Sequence, residues 1–404
     1  MPSSPVFYPA RQSLLRWCVV CLLTLWSFAS WSAPSFSESL DAAWQRLPVV
    51  DSLEQQRLAF DRRHPDWLRS APEISFDFQQ GDSSAGLPSE WQARLSLDLV
   101  RPDQIGARHQ LNELEQQSLQ LQLSELRWQL SVQLQNWWWR WQESRRRLLR
   151  TRQQQQALQT QIDWLTLLIE QGERPAFDLI ELQQQASRLE QEQYLLESRS
   201  ANLALQFKQW TGFETVPDAW AFAQADSDSP KLHPVLQSLG VRQQQAQLRQ
   251  HLSGNQAYMP TVSVGVKHLE AIQSVPEANA LQLGLSIPLG GESYQTRRDA
   301  IQHTADLKHA EREQTQALER ERVVLSAQLP KLKQRSEHLI QLSADADHQY
   351  QLQQQAWKDG SLPGFRWLQI QRSIWQLQQQ ADEAKLDYLK SISRWNQLQG
   401  VIPQ

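Results

Sequence analysis

From residue 72 the chain begins to alternate. Ile74, Phe76 and Phe78 interleave with Ser75 and Asp77, and Leu95, Leu97 and Leu99 interleave with Arg94, Ser96 and Asp98. The habit returns at Val262, Val264 and Val266, set against Ser263, Gly265 and Lys267. It returns again at Leu281, Leu283, Leu285 and Ile287, set against Gln282, Gly284 and Ser286. A period of two predicts β-strands with one apolar and one polar face. The intervening stretches 79–90 and 268–278 are rich in turn formers, so two hairpins are expected, within 72–102 and 260–289.

After each hairpin the period changes. Leu123, Leu126, Leu130, Leu134, Trp137 and Trp141 follow steps of three and four, which predicts a long polar helix over 103–170 and, by the same reading, another over 291–358. At about 1.5 Å per residue each could approach 100 Å. Pro330 should kink the second. Two further stretches, 176–211 and 364–399, carry a seven-residue repeat. Leu179, Leu182, Ala186, Leu189, Leu196, Leu203, Phe207 and Trp210 mark the first, and Trp367, Ile370, Ile374, Leu377, Ala381, Trp395 and Leu398 the second. Such a repeat argues for coiled-coil packing against a neighbouring helix.

The helices are joined by a repeated phrase. "QGERPAFDLIELQ" (171–183) comes back as "DGSLPGFRWLQIQ" (359–371), so that Gly172, Pro175 and Phe177 fall on Gly360, Pro363 and Phe365, 188 positions later. A glycine that ends one helix and a proline near the start of the next describe the bend of an antiparallel helix pair. The same offset lays "PEISFDF" (72–78) on "PTVSVGV" (260–266), "RLSLDLV" (94–100) on "QLGLSIP" (282–288), and Gly212 on Gly400. The chain therefore reads as a tandem duplication, 33–212 and 213–404, each half holding a helix, a β-hairpin, a long helix, a turn and a second helix. The fold class is mainly α with a small β part.

Composition adds a compartment. Arg11 and Arg16 precede an apolar run from Trp17 to Ala29 and then Ser30-Trp31-Ser32. That is the order of a secretory signal peptide, expected to occupy 1–32 and too short to span a bilayer. Cys18 and Cys21 both lie inside it, so the mature chain would have no disulfide, thiolate metal site or cysteine nucleophile. The remainder is polar, with a mean hydropathy of −0.59, and no later run is apolar enough for a membrane helix. A net charge of −4 argues against a general polyanion binder.

Candidate chemistry is thin. The nine histidines show no spacing typical of a tight metal site, and no Ser–His–Asp arrangement, P-loop or dinucleotide fingerprint is present. Neither an enzyme nor a cofactor is expected. "NWWWRWQESRRR" (136–147) could stack on bases and hold phosphates, or lie on a membrane surface. The helical pattern runs unbroken through it, which favours tryptophans in a helix–helix seam with solvated arginines, and no nucleic-acid partner.

Four strands cannot close a barrel, and their apolar face needs a cover. In an exported chain that cover can be lipid, provided the sheet closes. Three chains would supply twelve strands. Ile74, Phe76, Phe78, Leu95, Leu97, Leu99, Val262, Val264, Val266, Leu281, Leu283, Leu285 and Ile287 would then face lipid. Asp77, Arg94, Asp98 and Lys267 would face an aqueous lumen, and Trp91 and Tyr258 suit an interfacial girdle. The competing expectation is a small soluble sheet packed on the helices.

This layout resembles the TolC family of outer-membrane efflux proteins, over essentially the whole mature chain. The marks are the phrase at 172–183, the strand openings at Pro72 and Pro260, and the endings "QWTG" and "QLQG". Trp137–Trp139 are similar to an aromatic pair midway along the first long helix of that family. The short length and the absence of an extension after Gly400 resemble the heavy-metal (CzcC-like) branch. The resemblance implies a homotrimer in the outer membrane of a Gram-negative bacterium, its shared transmembrane β-barrel continuing into a helical α-barrel across the periplasm. It also implies that the turns at Gly172, Pro175, Phe177 and Asp178, and at Gly360, Pro363, Phe365 and Arg366, dock a periplasmic adaptor (membrane fusion protein) and an inner-membrane pump of the resistance-nodulation-division type. Transport would be passive in this component, with metal cations as a cargo class. Two departures stand out: Ala176 and Gly364 occupy positions where the family often has serine, and Asp178 is matched by Arg366. The alternatives are a soluble periplasmic coiled-coil scaffold or adaptor, and a secreted adhesin.

Overall fold

A computed structural model describes residues 34–60, 67–68, 70–81, 87–173, 175–220, 222, 224, 233–253, 260–271, 276–287 and 294–403. The expected leader 1–32 and Tyr258 lie outside the described residues. In chain order the elements are α1 (Phe36–Trp44), α2 (Pro48–Phe60), β1 (Glu73–Gln79), β2 (Glu90–Asp98), α3 (Pro102–Glu170), α4 (Phe177–Thr211), α5 (Pro234–Ser253), β3 (Thr261–Leu269), β4 (Ala278–Ser286), α6 (Tyr294–Lys358) and α7 (Gly364–Leu398).

The four strands form one antiparallel sheet in the order β1-β2-β3-β4. Its centre is the pairing of β2 with β3, which joins the two halves of the sequence; Leu95 sits opposite Val264 and Leu97 opposite Val262. β2 and β4 begin and end 188 residues apart. From β2 the chain runs straight into α3, with Pro102 in its first turn, where the missing N–H costs no helical bond. At 69 residues this single helix is about 100 Å long.

Four helix ends share one device. Gly172, Gly360, Gly212 and Gly400 have φ of 77°, 74°, 80° and 72°, and are the only described residues with positive φ. At the first turn Gly172 N–H donates to Ile169 O (3.0 Å) and Glu173 N–H to Leu168 O (2.9 Å). At the second, Gly360 N–H donates to Trp357 O (3.1 Å) and Ser361 N–H to Ala356 O (3.0 Å). Both are Schellman closures, which need a left-handed residue that glycine supplies without a Cβ clash.

Beside the sheet the helices stand in the order α2–α3–α5–α6; towards the turns the order is α4–α3–α7–α6. The seven-residue repeats of α4 and α7 form the seams of this lower wall: Leu182, Leu196 and Phe207 are buried on α4, and Trp367, Ile374, Ala381 and Trp395 on α7. Pro330 does not interrupt α6, which runs through it from Tyr294 to Lys358. Its ring lies on the exposed side, while Leu325 and Leu329 beside it are buried and hold the helix across the lost hydrogen bond.

The main core sits halfway down. Trp137, Trp138, Trp139 and Trp141 of α3, Leu134, Phe207 of α4 and Leu386 of α7 pack with Phe36 and Leu40 of α1 and with Trp220. No described helix is long and apolar enough to cross a membrane.

Candidate functional site

The pairing register sorts the sheet into two chemistries. One face carries Ile74, Phe76 and Phe78 of β1 beside Leu95, Ala93 and Trp91 of β2. It continues through Val262, Val264 and Val266 of β3 to Leu285, Leu283 and Leu281 of β4. Most of it is open: Ile74 is 78 % exposed, Phe76 68 %, Leu281 70 % and Leu283 76 %. Leu97 and Val262 are half-buried. Leu99 lies just past β2 in a bridge to Leu68, and Ile287 just past β4. No helix among the described residues covers this face, contrary to what a soluble sheet would require.

The opposite face is polar. Lys267 pairs with Glu90 at 2.6 Å, and Asp98 accepts from Thr261 Oγ1 (2.6 Å) and Ser70 Oγ (3.1 Å). The side-chain amides of Gln92 on β2 and Gln282 on β4 meet at 2.6 Å across β3, where Gly265 presents no side chain. A Cβ on Gly265 would fall 2.8 Å from Ala93 O. Asp77 and Arg94 share this face with Lys267 and Asp98.

Two tryptophans stand near the two ends of the second strand. Trp91, near the hairpin end, stacks on Phe76 with centroids 6.0 Å apart and lies 5.5 Å from His268. Trp67, near the helical end, is half exposed and its carbonyl accepts from Val100 N–H (2.9 Å). Nine residues separate position 100 from 91, which is about 30 Å along a strand and roughly 23 Å vertically at a 40° tilt. Trp67 escaped the sequence reading because it follows no strand period.

At the far end of the helices the two turns are bare. Gly172 and Gly360 have no atom within 4 Å of where a Cβ would point. Pro175, Pro363 and Arg366 are exposed, and Phe177 is 72 % exposed. The side chains of Asp178 and Phe365 lie outside the described residues. Just above the turns the two helical hairpins of the chain touch. Trp164 of α3 meets Trp357 of α6 at 4.1 Å, Trp357 stacks on Trp367 at 5.9 Å, and Arg372 of α7 bonds Glu181 (2.7 Å) and Gln185 (3.2 Å) of α4. Sequence reasoning missed the Trp164–Trp357 and Arg372 contacts because they join the two halves of the duplication.

The tryptophan run is structural. Trp138 Nε1 donates to Pro217 O (3.1 Å) and its ring stacks on Trp220 at 5.2 Å; Trp137 stacks on Phe207 at 4.9 Å. With these rings buried, no stacking surface for bases remains. The arginines that follow are not simply solvated, as the sequence suggested. Arg145 lies over Trp141 and pairs with Asp218; Arg147 reaches Glu383 (3.5 Å) and Arg150 pairs with Asp382. The last two pairs tie α3 to α7, and the first ties it to the segment that follows α4. Nearby, His233 is fully buried against Trp128, with ring centroids 4.6 Å apart. Burial pushes its imidazole below the ordinary value, and Arg394 acts in the same direction. Among the described residues no group of three or more His, Cys, Asp or Glu side chains could hold a metal ion.

Comparison by sequence gives nothing: no family model and no curated protein matches. Comparison by structure gives several likenesses. CusC, a protein that undergoes conformational changes on folding and transmembrane channel formation, superposes with a TM-score of 0.73 at 10% identity, over 93% of this chain and 96% of that one. The Campylobacter jejuni CmeC outer membrane channel gives 0.73 at 10% identity, over 92% and 90%. The outer membrane protein VceC of Vibrio cholerae gives 0.71 at 13% identity, over 91% and 96%. At such identities the likeness is one of fold, and it extends over nearly the whole length of each partner: this chain is folded as outer-membrane channel proteins are.

Proposed function

We propose that the chain is the outer-membrane channel of a tripartite efflux system: a homotrimer that pools four strands per chain into a twelve-stranded barrel and continues as a helical tunnel into the periplasm of a Gram-negative bacterium. One observation carries this reading. A four-stranded sheet whose two edge strands have no strand partner among the described residues presents a continuous, exposed apolar face, and an open sheet of that kind satisfies its backbone in lipid only by closing with other copies. The polar face, with Asp77, Arg94, Asp98 and Lys267, would line the lumen.

In this reading the component is a passive duct rather than an enzyme. The bare turns around Gly172, Pro175, Phe177 and Asp178, and around Gly360, Pro363, Phe365 and Arg366, would meet a periplasmic adaptor of the membrane-fusion type and a resistance-nodulation-division pump that supplies energy and selectivity. Metal cations are the proposed cargo, following the resemblance to the heavy-metal branch. Purified full-length protein added to a planar bilayer should produce discrete conductance steps, and should leave the outer-membrane fraction only with detergent. A water-soluble, non-conducting monomer would refute the channel and favour the periplasmic scaffold.

A further inference from the structure

The seam between α3 and α7 carries a groove on the side of the wall away from Trp220. Asn136 and Arg140 lie two residues before and after Trp138, so each stands roughly 160° round α3 from the ring that stacks on Trp220. Both are exposed. Two cavities follow this groove, and their charges differ. The lower is lined by three arginines and four carboxylates, among them the Arg150–Asp382 and Arg147–Glu383 pairs. The upper, of about 320 Å³, is lined by three cations, Arg140, Lys390 and Arg394, and by no carboxylate among the described residues. Glu143 serves Lys390 (3.2 Å) and Arg147 (3.4 Å) at once, and Glu321 holds Arg394 through two bonds of 2.6 and 2.7 Å. Arg140 has no hydrogen bond or ion pair with any described residue. Neutral groups repeat the excess of donors. Trp139, which also lines the cavity, is 5 % exposed, and its indole N–H meets no acceptor. One turn away Gln135 is fully buried. Its Oε1 accepts from Ser393 Oγ and from Gln397 Nε2 (3.1 Å), which leaves its own Nε2 without an acceptor. A buried donor with no acceptor costs stability and marks a missing partner.

We infer that the upper cavity binds a small oxyanionic solute, a carboxylate or a phosphate ester, which supplies the absent acceptor. Arg140 comes from α3 and Lys390 and Arg394 from α7, so an anion between them is held from two helices. Arg394 uses three N–H groups on Glu321 and Gln397 and still has donors to spare. The planar forks of the arginines match the paired oxygens of carboxylate and phosphate, and such charge-assisted bonds are stronger than neutral ones. An indole N–H only donates, so Trp139 adds to an anion site and gives nothing to a metal cation. The volume lies at the low end of small-molecule sites, which suits a di- or tricarboxylate or a sugar phosphate. The site is complete within one chain, and it stands whether or not the chain conducts.

The test is calorimetric titration of the purified full-length protein in detergent micelles with two probes, citrate and glucose 6-phosphate, sodium chloride keeping the ionic strength constant. Saturable binding of at least one probe to the wild type is expected, and which one binds separates carboxylate from phosphate. Arg140→Gln should weaken it about tenfold or more, as losing a bond between charged partners does. The unfolding midpoint without ligand should stay put, since Arg140 is exposed and has no partner to lose. Trp139→Phe keeps an aromatic ring, removes the N–H and should also weaken binding. Arg199→Gln, an equal loss of charge at an exposed position of α4, should change nothing. No saturable heat with either probe would overturn the site. Equal weakening by Arg140→Gln and Arg199→Gln would do so as well, because overall charge would then explain the binding. Affinity untouched by Arg140→Gln or by Trp139→Phe would place the anion elsewhere and overturn the inference too.

Discussion

Leu283 and Gln282 are neighbours on β4 that point to opposite sides of the sheet, and an arginine placed at each in turn asks which side meets lipid. Leu283 lies in the middle of the apolar face, in one row with Val264, Leu95 and Ile74. Arginine at the bilayer midplane of a barrel costs about 2–4 kcal/mol, so three copies of Leu283→Arg should cost about 6–12 kcal/mol per trimer. Gln282→Arg stays on the polar face beside Gln92 and should fall within about 0.5 kcal/mol per chain, as surface substitutions do. In water the two changes would be nearly equivalent, because Leu283 is 76 % exposed and has little packing to lose. The assay is guanidinium unfolding of the protein reconstituted in phospholipid vesicles, followed by tryptophan fluorescence. A loss confined to Leu283→Arg supports a lipid-facing row. Equal stability of the two variants, in vesicles where the wild type unfolds cooperatively, would refute the reasoning.

Three further outcomes are expected. Gly172→Ala and Gly400→Ala both force a left-handed alanine, about 1–2 kcal/mol; the second should lose clearly more in urea unfolding, because its Cβ would sit 2.7 Å from Pro234 Cδ while the first meets open space. Trp138→Ala should cost about 3–5 kcal/mol in the same measurement, and Trp138→Phe less, since it keeps part of the stacking on Trp220. His233 has its pKa lowered by burial, so below the ordinary imidazole value the unfolded chain binds more protons than the folded one. Stability should therefore be complete above about pH 6.5 and decline as pH falls below it. His233→Gln should flatten that slope in unfolding curves taken between pH 7 and 5.

Much of the local architecture was legible because it is periodic. Alternation at Ile74–Phe78 and Leu281–Ile287 identified strands and sorted their faces, and the repeat through Leu182, Leu196 and Phe207 identified a seam. What escaped was aperiodic or lay between halves. Phe36, Trp220 and Phe222 belong to short segments without a readable period, yet they complete the tryptophan core. The arginines after Trp141 looked solvated because their carboxylates, Asp218, Asp382 and Glu383, are distant in sequence. Pro330 looked like a kink because propensity was weighed without the buried leucines that flank it. Of the candidate site, the two faces of the sheet and the two turns could be read from sequence. The clasp of Trp164 on Trp357 and the half-exposed Trp67 could not, since neither follows from spacing.

The placement of the aromatic core gives the molecule leverage. Below it α4 extends from Phe207 to Phe177, an arm of about 45 Å, and α7 from Leu386 to Gly364, about 33 Å; contacts near the free ends include Leu158, Leu165 and Leu182, the Trp164–Trp357 pair and the Arg372 clasp. A sideways shift of about 10 Å at the end of the longer arm is a tilt of only about 13° at the pivot. A small tilt at the tryptophan fulcrum would thus move the turns at Gly172 and Gly360 far while the sheet beyond it stays still.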